Sequence, residues 1–346
     1  MTSFSASDVT AVYAGHIFRG VDMDAAAQAA EEARLAPAIA DLCRRSGVRA
    51  LHGALAAGAD ILFAEAALAL GLELHVVLPF DGDTFETTSV GIGNPADAPG
   101  RWNARYRAVL AAATSLRVSA AAVPTAGQRD AWYRTAFREA AGAALFAADR
   151  IGGACLMMAV TDKGGSGSPG GTTSAEADWR ARGRHLVTLP FGGARHTGDG
   201  NGRPHRTGLL PVLFLRPAGA EGVARIVAIR PALGERPRVS LAGDGEAVLF
   251  DLATDAIAGA RLAADPSLRV VCDFGLVSGG PGDVDAEAVL ALPGAGDLAG
   301  TETATVAATE AFALEARFES DSVAPLFAPA AFAGGERFTT LRLFGR

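Results

Sequence analysis

Lysine is almost missing from this chain: Lys163 is the one lysine among 31 basic residues. Alanine and glycine are abundant beside the arginines, a pattern of GC-rich coding, so the arginine excess carries little functional weight. The net charge of −7 excludes a nucleic-acid or anionic-membrane surface as the default partner. Cysteine is also scarce. Cys43, Cys155 and Cys272 sit singly in apolar or helical runs, with no CxxC or Cys/His cluster of the kind zinc needs, and read as reduced, buried thiols. No apolar run approaches the ~20 residues that span a bilayer. The opening MTSFSASDVTAVYAGH has no basic stretch leading into an apolar one, so no signal peptide is expected. These absences together predict a soluble, cytoplasmic protein with no membrane and no nucleic-acid partner.

What is present is ample core material: 49% hydrophobic and 20% charged residues over 346 positions, enough for two domains. Short apolar runs at Thr10–Ala14, Arg49–His52, Glu73–Leu78, Ser115–Ser119, Cys155–Val160 and His185–Leu189 read as strands. Helical three- and four-residue spacing fills Asp24–Ser46, Asp60–Gly71, Arg101–Thr114, Arg129–Arg150 and Ser174–Arg182, with Gly47 and Gly71 just past two helix ends. Such alternation predicts βαβ units and a largely parallel sheet over residues 1–190. Residues 191–206, FGGARHTGDGNGRPHR, have no apolar period and read as a linker, with His196 and His205 solvent-exposed. In residues 207–346, strands are expected at Gly208–Leu215, Arg238–Ala242, Glu246–Phe250, Arg269–Gly275, Thr303–Ala308 and Phe338–Phe344. Helices are expected at Thr254–Ala264, Val284–Leu292 and Thr309–Phe318, an α+β order.

Ligands of open parallel sheets bind beyond the carboxyl ends of the strands. The first strand ends in Gly15-His16. The second ends in Gly53, with Gly58-Ala59-Asp60 opening a helix, and the fifth leads through Asp162 to Gly170-Gly171-Thr172-Thr173 before another helix. All three loops belong on one rim. Glycines let backbone approach a phosphate or ribose, and helix N-termini present free N–H groups to an anion. Each loop alone has a bland explanation, steric for the glycines and dipolar for Glu176, expected in the first turn of its helix; three on one rim point to binding. No GxxxxGK[ST] loop and no GxGxxG after the first strand is present, which disfavours a Walker-type NTPase and ordinary dinucleotide-dehydrogenase binding. His52 either touches the ligand or is a satisfied strand-end histidine. His75 reads as structural, and Trp132 and Tyr133 as packing residues, Tyr133 with an alternative place in the pocket.

GADILFAEAALALGLELHVVLPF, AVYAGH and PGGTTSAE together resemble the SLOG superfamily of Rossmann-like nucleotide-binding domains over residues 8–192, in the versions found beside cyclase and TPR modules in bacterial signalling proteins. PGGTTSAE is similar to the PGGxGTxxE motif of LOG-type cytokinin phosphoribohydrolases. The resemblance implies that Gly170, Gly171 and Thr173 hold phosphate or ribose and that Glu176 assists N-glycosidic cleavage in enzymatic members. Thr172 replaces the glycine of that motif, and the arginine that would pair with Glu176 is a choice between Arg134 and Arg138.

Residues 209–346 resemble the class III adenylate/guanylate cyclase domain through SLAGDGEAVLFDLATDAIAGARLA, LRVVCDFGLVSG, TATVAATEAF and ERFTTLRLFGR, which implies a smaller α+β, ferredoxin-like fold. Cyclase chemistry needs two aspartates on two metal ions. Asp244 of GDG matches one; the other position holds Arg216, which repels Mg²⁺. Asp285 and Val289 stand where the resemblance implies an Asn and an Arg. A pseudocyclase without metal or cofactor is expected, pairing with itself as a homodimer or with a cyclase-like partner. The expected function is nucleotide-responsive signalling or regulation; the alternative is a nucleotide N-glycosidic hydrolase using Glu176.

Overall fold

The computed structural model describes residues 9–120, 125, 128–162, 171–192, 207–278, 289, 292, 306–327 and 338–341. The chain divides into two compact units, 1–203 and 204–346, within the stretch expected to be a linker.

The first unit is a Rossmann-like α/β domain. Its strands are β1 (Val9–Gly15), β2 (Val48–Gly53), β3 (Glu73–Leu78), β4 (Ser115–Val118), β5 (Ala154–Thr161) and β6 (Leu186–Pro190). They form one parallel sheet in the order β4-β3-β2-β1-β5-β6. The chain runs outward from β1 through β2, β3 and β4, then returns to β1's other side with β5 and β6. That reversal makes β1/β5 the topological switch point, where successive crossovers part and leave a crevice.

Helices α1 (Ala25–Arg45), α2 (Ala59–Ala69) and α4 (Arg101–Ala112) pack as one layer, while α5 (Arg129–Ile151) and α6 (Thr172–Arg180) contact each other in a second. Leu35, Ile39 and Leu42 of α1 repeat at helical spacing and pack on Tyr13, Leu51 and Phe63 in the main core. Asp24 starts that helix by accepting the Ala27 N–H at 2.8 Å, the N-cap role that suits a short acidic side chain. Residues 79–100, which show no period in sequence, contain the single turn α3 (Gly82–Phe85), a π-turn at Glu86–Val90 and a 3₁₀ turn at Gly91–Gly93. Ser89 and Ile92 carbonyls accept the N–H groups of Ala57 and Gly20, so this segment ties the loops after β1 and β2 together.

The second unit carries β7 (Thr207–Pro217), α7 (Ala220–Leu233), β8 (Arg238–Leu241), β9 (Gly245–Leu249), α8 (Ala253–Ala263) and β10 (Leu268–Ser278). Sheet order β10-β7-β9-β8, with each neighbour antiparallel, is the split βαββαβ arrangement of ferredoxin-like folds. Strand β11 (Val306–Thr309) adds parallel to β10, helix α9 (Glu310–Glu319) follows, and β12 (Phe338–Leu341) closes the mixed sheet. Helix α7 has no counterpart in the sequence reading. Val223, Ile226, Val227 and Ile229 make its segment β-branched, and Pro231 weakens the helical pattern; burial of Ile226, Ile229 and Leu233 outweighs that local preference. The expected helix Val284–Leu292 lies outside the described residues except Val289 and Leu292.

Candidate functional site

Gly15 is the residue on which the rim converges. A side chain there would put Cβ 2.4 Å from Ala59 Cβ and 3.1 Å from the Asp60 nitrogen, so only glycine lets β1 end directly against the start of α2. From the other side, the Thr172 hydroxyl donates to the Gly15 carbonyl at 2.9 Å, which docks the first residue of α6 on the same point. His16 is held by its backbone on both sides: its N–H donates to Val160 O at 3.0 Å, and its carbonyl accepts from Ala59 N–H at 3.2 Å. Gly58 at φ +102° opens α2, and Phe18 fills the space a side chain would need.

Neither α2 nor α6 has a side-chain cap at its N-terminus. The His16 carbonyl already takes the Ala59 N–H at the buried α2 start, so the positive end presented at the β1/β5 switch point is that of α6. In chemical terms that end suits an anion.

Two buried carboxylates stand beside it. Asp60, in the first turn of α2, accepts a long 3.3 Å hydrogen bond from Ala56 N–H and leaves Oδ1 buried without a partner. Burial pushes its carboxyl up to about 8, against the pull of the Ala56 and Gly15 N–H groups, so near neutral pH it is largely protonated. Glu176 is buried in α6, pairs with Arg180 at 3.0 Å, and leaves Oε1 without a partner.

Several residues sit differently from their sequence expectation. Helix α6 starts at Thr172, not Ser174, so Glu176 lies one turn inside it and the first turn carries no acid. Its ionic partner is Arg180 of the same helix, neither Arg134 nor Arg138; Arg138 faces Asp178 at 3.9 Å. Gly53 is covered by the Tyr13 ring, within 2.8 Å of where a Cβ would stand, and that ring hydrogen-bonds Ala54 O at 2.8 Å. Gly53 therefore makes room for packing. Gly171 is the N-cap residue of α6, Thr173 is exposed on its first turn, and Asp162 is half-buried after β5. Gly170 lies outside the described residues.

His52 is buried on β2 and stacks on His75 with ring centroids 4.4 Å apart. Neither of its ring nitrogens has a partner. Burial, then the neighbouring His75 and Arg150, hold it well below the usual histidine range. It is thus a neutral core ring, buried and without hydrogen-bond partners, so of the two expectations for it a satisfied strand-end histidine is not what the structure shows. Tyr133 bridges to Ser89 at 2.6 Å and meets Phe80 edge-on at 5.4 Å, fastening α5 to the 79–93 segment.

Phe191 reads in sequence as the start of the linker. Its ring stacks on His16 at 4.2 Å, and its only sequence signal is an aromatic residue directly after an apolar strand.

In the second unit, Gly243 and Asp244 both adopt positive φ at the tip between β8 and β9, +70° and +58°, as the GDG turn predicts. Arg216 lies near the end of β7 opposite Arg269, one residue past Leu215, which pairs with Glu246. Val289 is fully buried in an apolar cluster with Phe214 and Val271; Asp285 lies outside the described residues. Among the described residues no group of three or more His, Cys, Asp or Glu is placed to hold a metal, and no helix is long and apolar enough to cross a membrane. No protein-family model matches the chain, and no curated protein matches it either.

Proposed function

We propose that the first unit binds an anionic, nucleotide-derived ligand at the β1/β5 switch point and that the protein is a nucleotide-responsive regulator. The observation that carries this is the N-terminus of α6, without a side-chain cap, docked through Thr172 on Gly15, a glycine that excludes any side chain. The bound group would lie against the first-turn N–H groups of α6, which Thr172 holds at the end of β1. In this reading the second unit is a pseudocyclase that pairs with a second copy or a cyclase-like partner. Arg216 in place of a metal aspartate and a buried Val289 in place of a charge-stabilising donor support it.

Calorimetric titration of the full chain with ADP-ribose, NAD, AMP and cyclic nucleotides tests the binding reading. Saturable heat with at least one of them is expected, and silence across the panel at millimolar concentration removes it. Incubation with ATP or GTP and Mn²⁺ is expected to yield no cyclic nucleotide.

One observation favours a second reading. Glu176 keeps a buried carboxylate oxygen without a partner close to the α6 start, which suits polarising water or an oxocarbenium-like sugar. Free base released from NAD or a nucleoside monophosphate, and lost in Glu176→Gln, would establish this hydrolase; an inert wild-type protein discards it.

A further inference from the structure

The first unit's final described residues are not a free tether. Phe191 N–H donates to Thr161 O at 2.8 Å, continuing the β5–β6 pairing past the end of β6. Gly192 N–H donates to Glu31 Oε1 at 2.7 Å, and Arg34 of α1 donates to Pro190 O at 2.6 Å while pairing with Glu31. Glu31 is nearly buried, and burial alone would raise its pKa. The Arg34 hydrogen bond, the Gly192 N–H and the charges of Arg34 and His16 outweigh that, so its carboxyl stays below the usual range and holds its anchor as a carboxylate. The Phe191 ring lies on His16 at 4.2 Å and against Phe18 at 5.4 Å.

His16 is therefore shared. Its backbone belongs to the corner formed by Gly15, Ala59 and Val160, and its ring belongs to the clamp on Phe191. Gly192 in turn leads, through residues 193–206, to β7 of the second unit. We propose that Phe191 and Glu31 couple occupancy of the rim to the anchoring of the segment that joins the two units. This rests on the reading of the rim as the ligand site. Ligand held at the start of α6 also steadies the Thr172–Gly15 bond and, one residue on, the His16 ring, so the His16–Phe191 stack and the Gly192–Glu31 bond are populated more fully. Coupling of this kind needs no displacement, only a loss of freedom common to both sites. By linkage it is reciprocal: whatever factor the ligand adds to the clamp, the clamp adds to ligand affinity. Phe191 and Glu31 are positioning residues here, without contact with the ligand.

The test uses the full chain with ADP-ribose as probe, amide hydrogen exchange read at Phe191 and Gly192, and affinity read by calorimetry. Saturating ADP-ribose is expected to slow exchange at those two amides by about fivefold or more, the lower end of ordinary site-to-site coupling. Phe191→Leu keeps apolar bulk but loses the stack, and Glu31→Gln weakens the anchor from α1 without touching the stack. Each is expected to bind ADP-ribose more weakly by a similar factor, with no ligand effect left at Gly192. Binding that leaves exchange at residues 191 and 192 unchanged, or wild-type affinity in both variants, overturns the coupling alone. Should ADP-ribose give no heat, the exchange is read with whichever nucleotide of the panel binds; silence across the panel removes the rim reading and the coupling with it.

Discussion

Thr172 and Gly15, 157 positions apart in the chain, are joined by a single 2.9 Å hydrogen bond from hydroxyl to carbonyl. The bond sets the start of α6 against the end of β1 at the point where the strand order reverses. Thr172→Val keeps the shape and removes the donor. It is expected to cost about 1 kcal/mol in urea unfolding, the usual worth of one such bond, and to weaken ligand binding in calorimetry about tenfold as α6 drifts from Gly15. Unchanged affinity in a folded variant would separate α6 from the site.

Gly15 itself tolerates no side chain, because a Cβ meets Ala59 Cβ at 2.4 Å. Gly15→Ala is expected to destabilise the first unit by about 1–3 kcal/mol, the typical cost of overpacking, seen as a lower urea midpoint. A midpoint equal to wild type would mean that β1 and α2 do not abut as described.

Asp60 predicts a pH dependence of defined sign. Its folded-state pKa, about 8, lies above the ordinary aspartate value of 3.8, so between those limits the folded chain binds a proton that the unfolded chain releases. Its contribution to stability is complete below about pH 4 and is lost as pH rises through 8, with a slope of at most about 1.4 kcal/mol per pH unit. Asp60→Asn removes the titration. Urea midpoints measured from pH 5 to 8 are expected to fall less steeply with pH in the variant than in wild type; parallel curves would refute the assignment.

His52 has the opposite sense. It is held neutral in the fold, well below 6.5, so the unfolded chain takes up the proton first and stability falls as pH drops through about 6.5. His52→Phe removes two buried nitrogens without partners and keeps a ring to stack on His75. The variant is expected to equal or exceed wild type at pH 8 and to gain a further advantage at pH 5.5 in thermal melts. An acid sensitivity identical to wild type would place the titrating group elsewhere.

At the tip between β8 and β9, Asp244 holds φ +58°, a conformation open to Gly, Asn and Asp but costly for alanine. Asp244→Gly is expected to be nearly neutral in urea unfolding, and Asp244→Ala to lose about 1 kcal/mol from backbone strain. Equal losses in both would point to a role for the carboxylate itself.

Much of the architecture is legible in the linear chain. Strand and helix order in the first unit follows from short apolar runs and period-3.6 apolar spacing, and strand ends fix which edge carries the loops, because a parallel sheet puts every βα loop on one edge. Helix α7 escaped because local preference and tertiary burial disagree there, and residues 79–100 escaped because single turns carry no period.

What sequence alone could not assign is which glycines face open space and which face a ring. Gly15 meets the two helix starts, whereas Gly53 lies under Tyr13, and only strand register decides between them. The same holds for Phe191, which reads as the start of a linker but stacks on His16, and for Glu176, whose ionic partner is set by where α6 begins. Periodicity reports the burial of a segment averaged over its length. Contacts between residues 16 and 191, or 15 and 172, depend on how separate crossovers close on one another, and that is decided only when the sheet assembles.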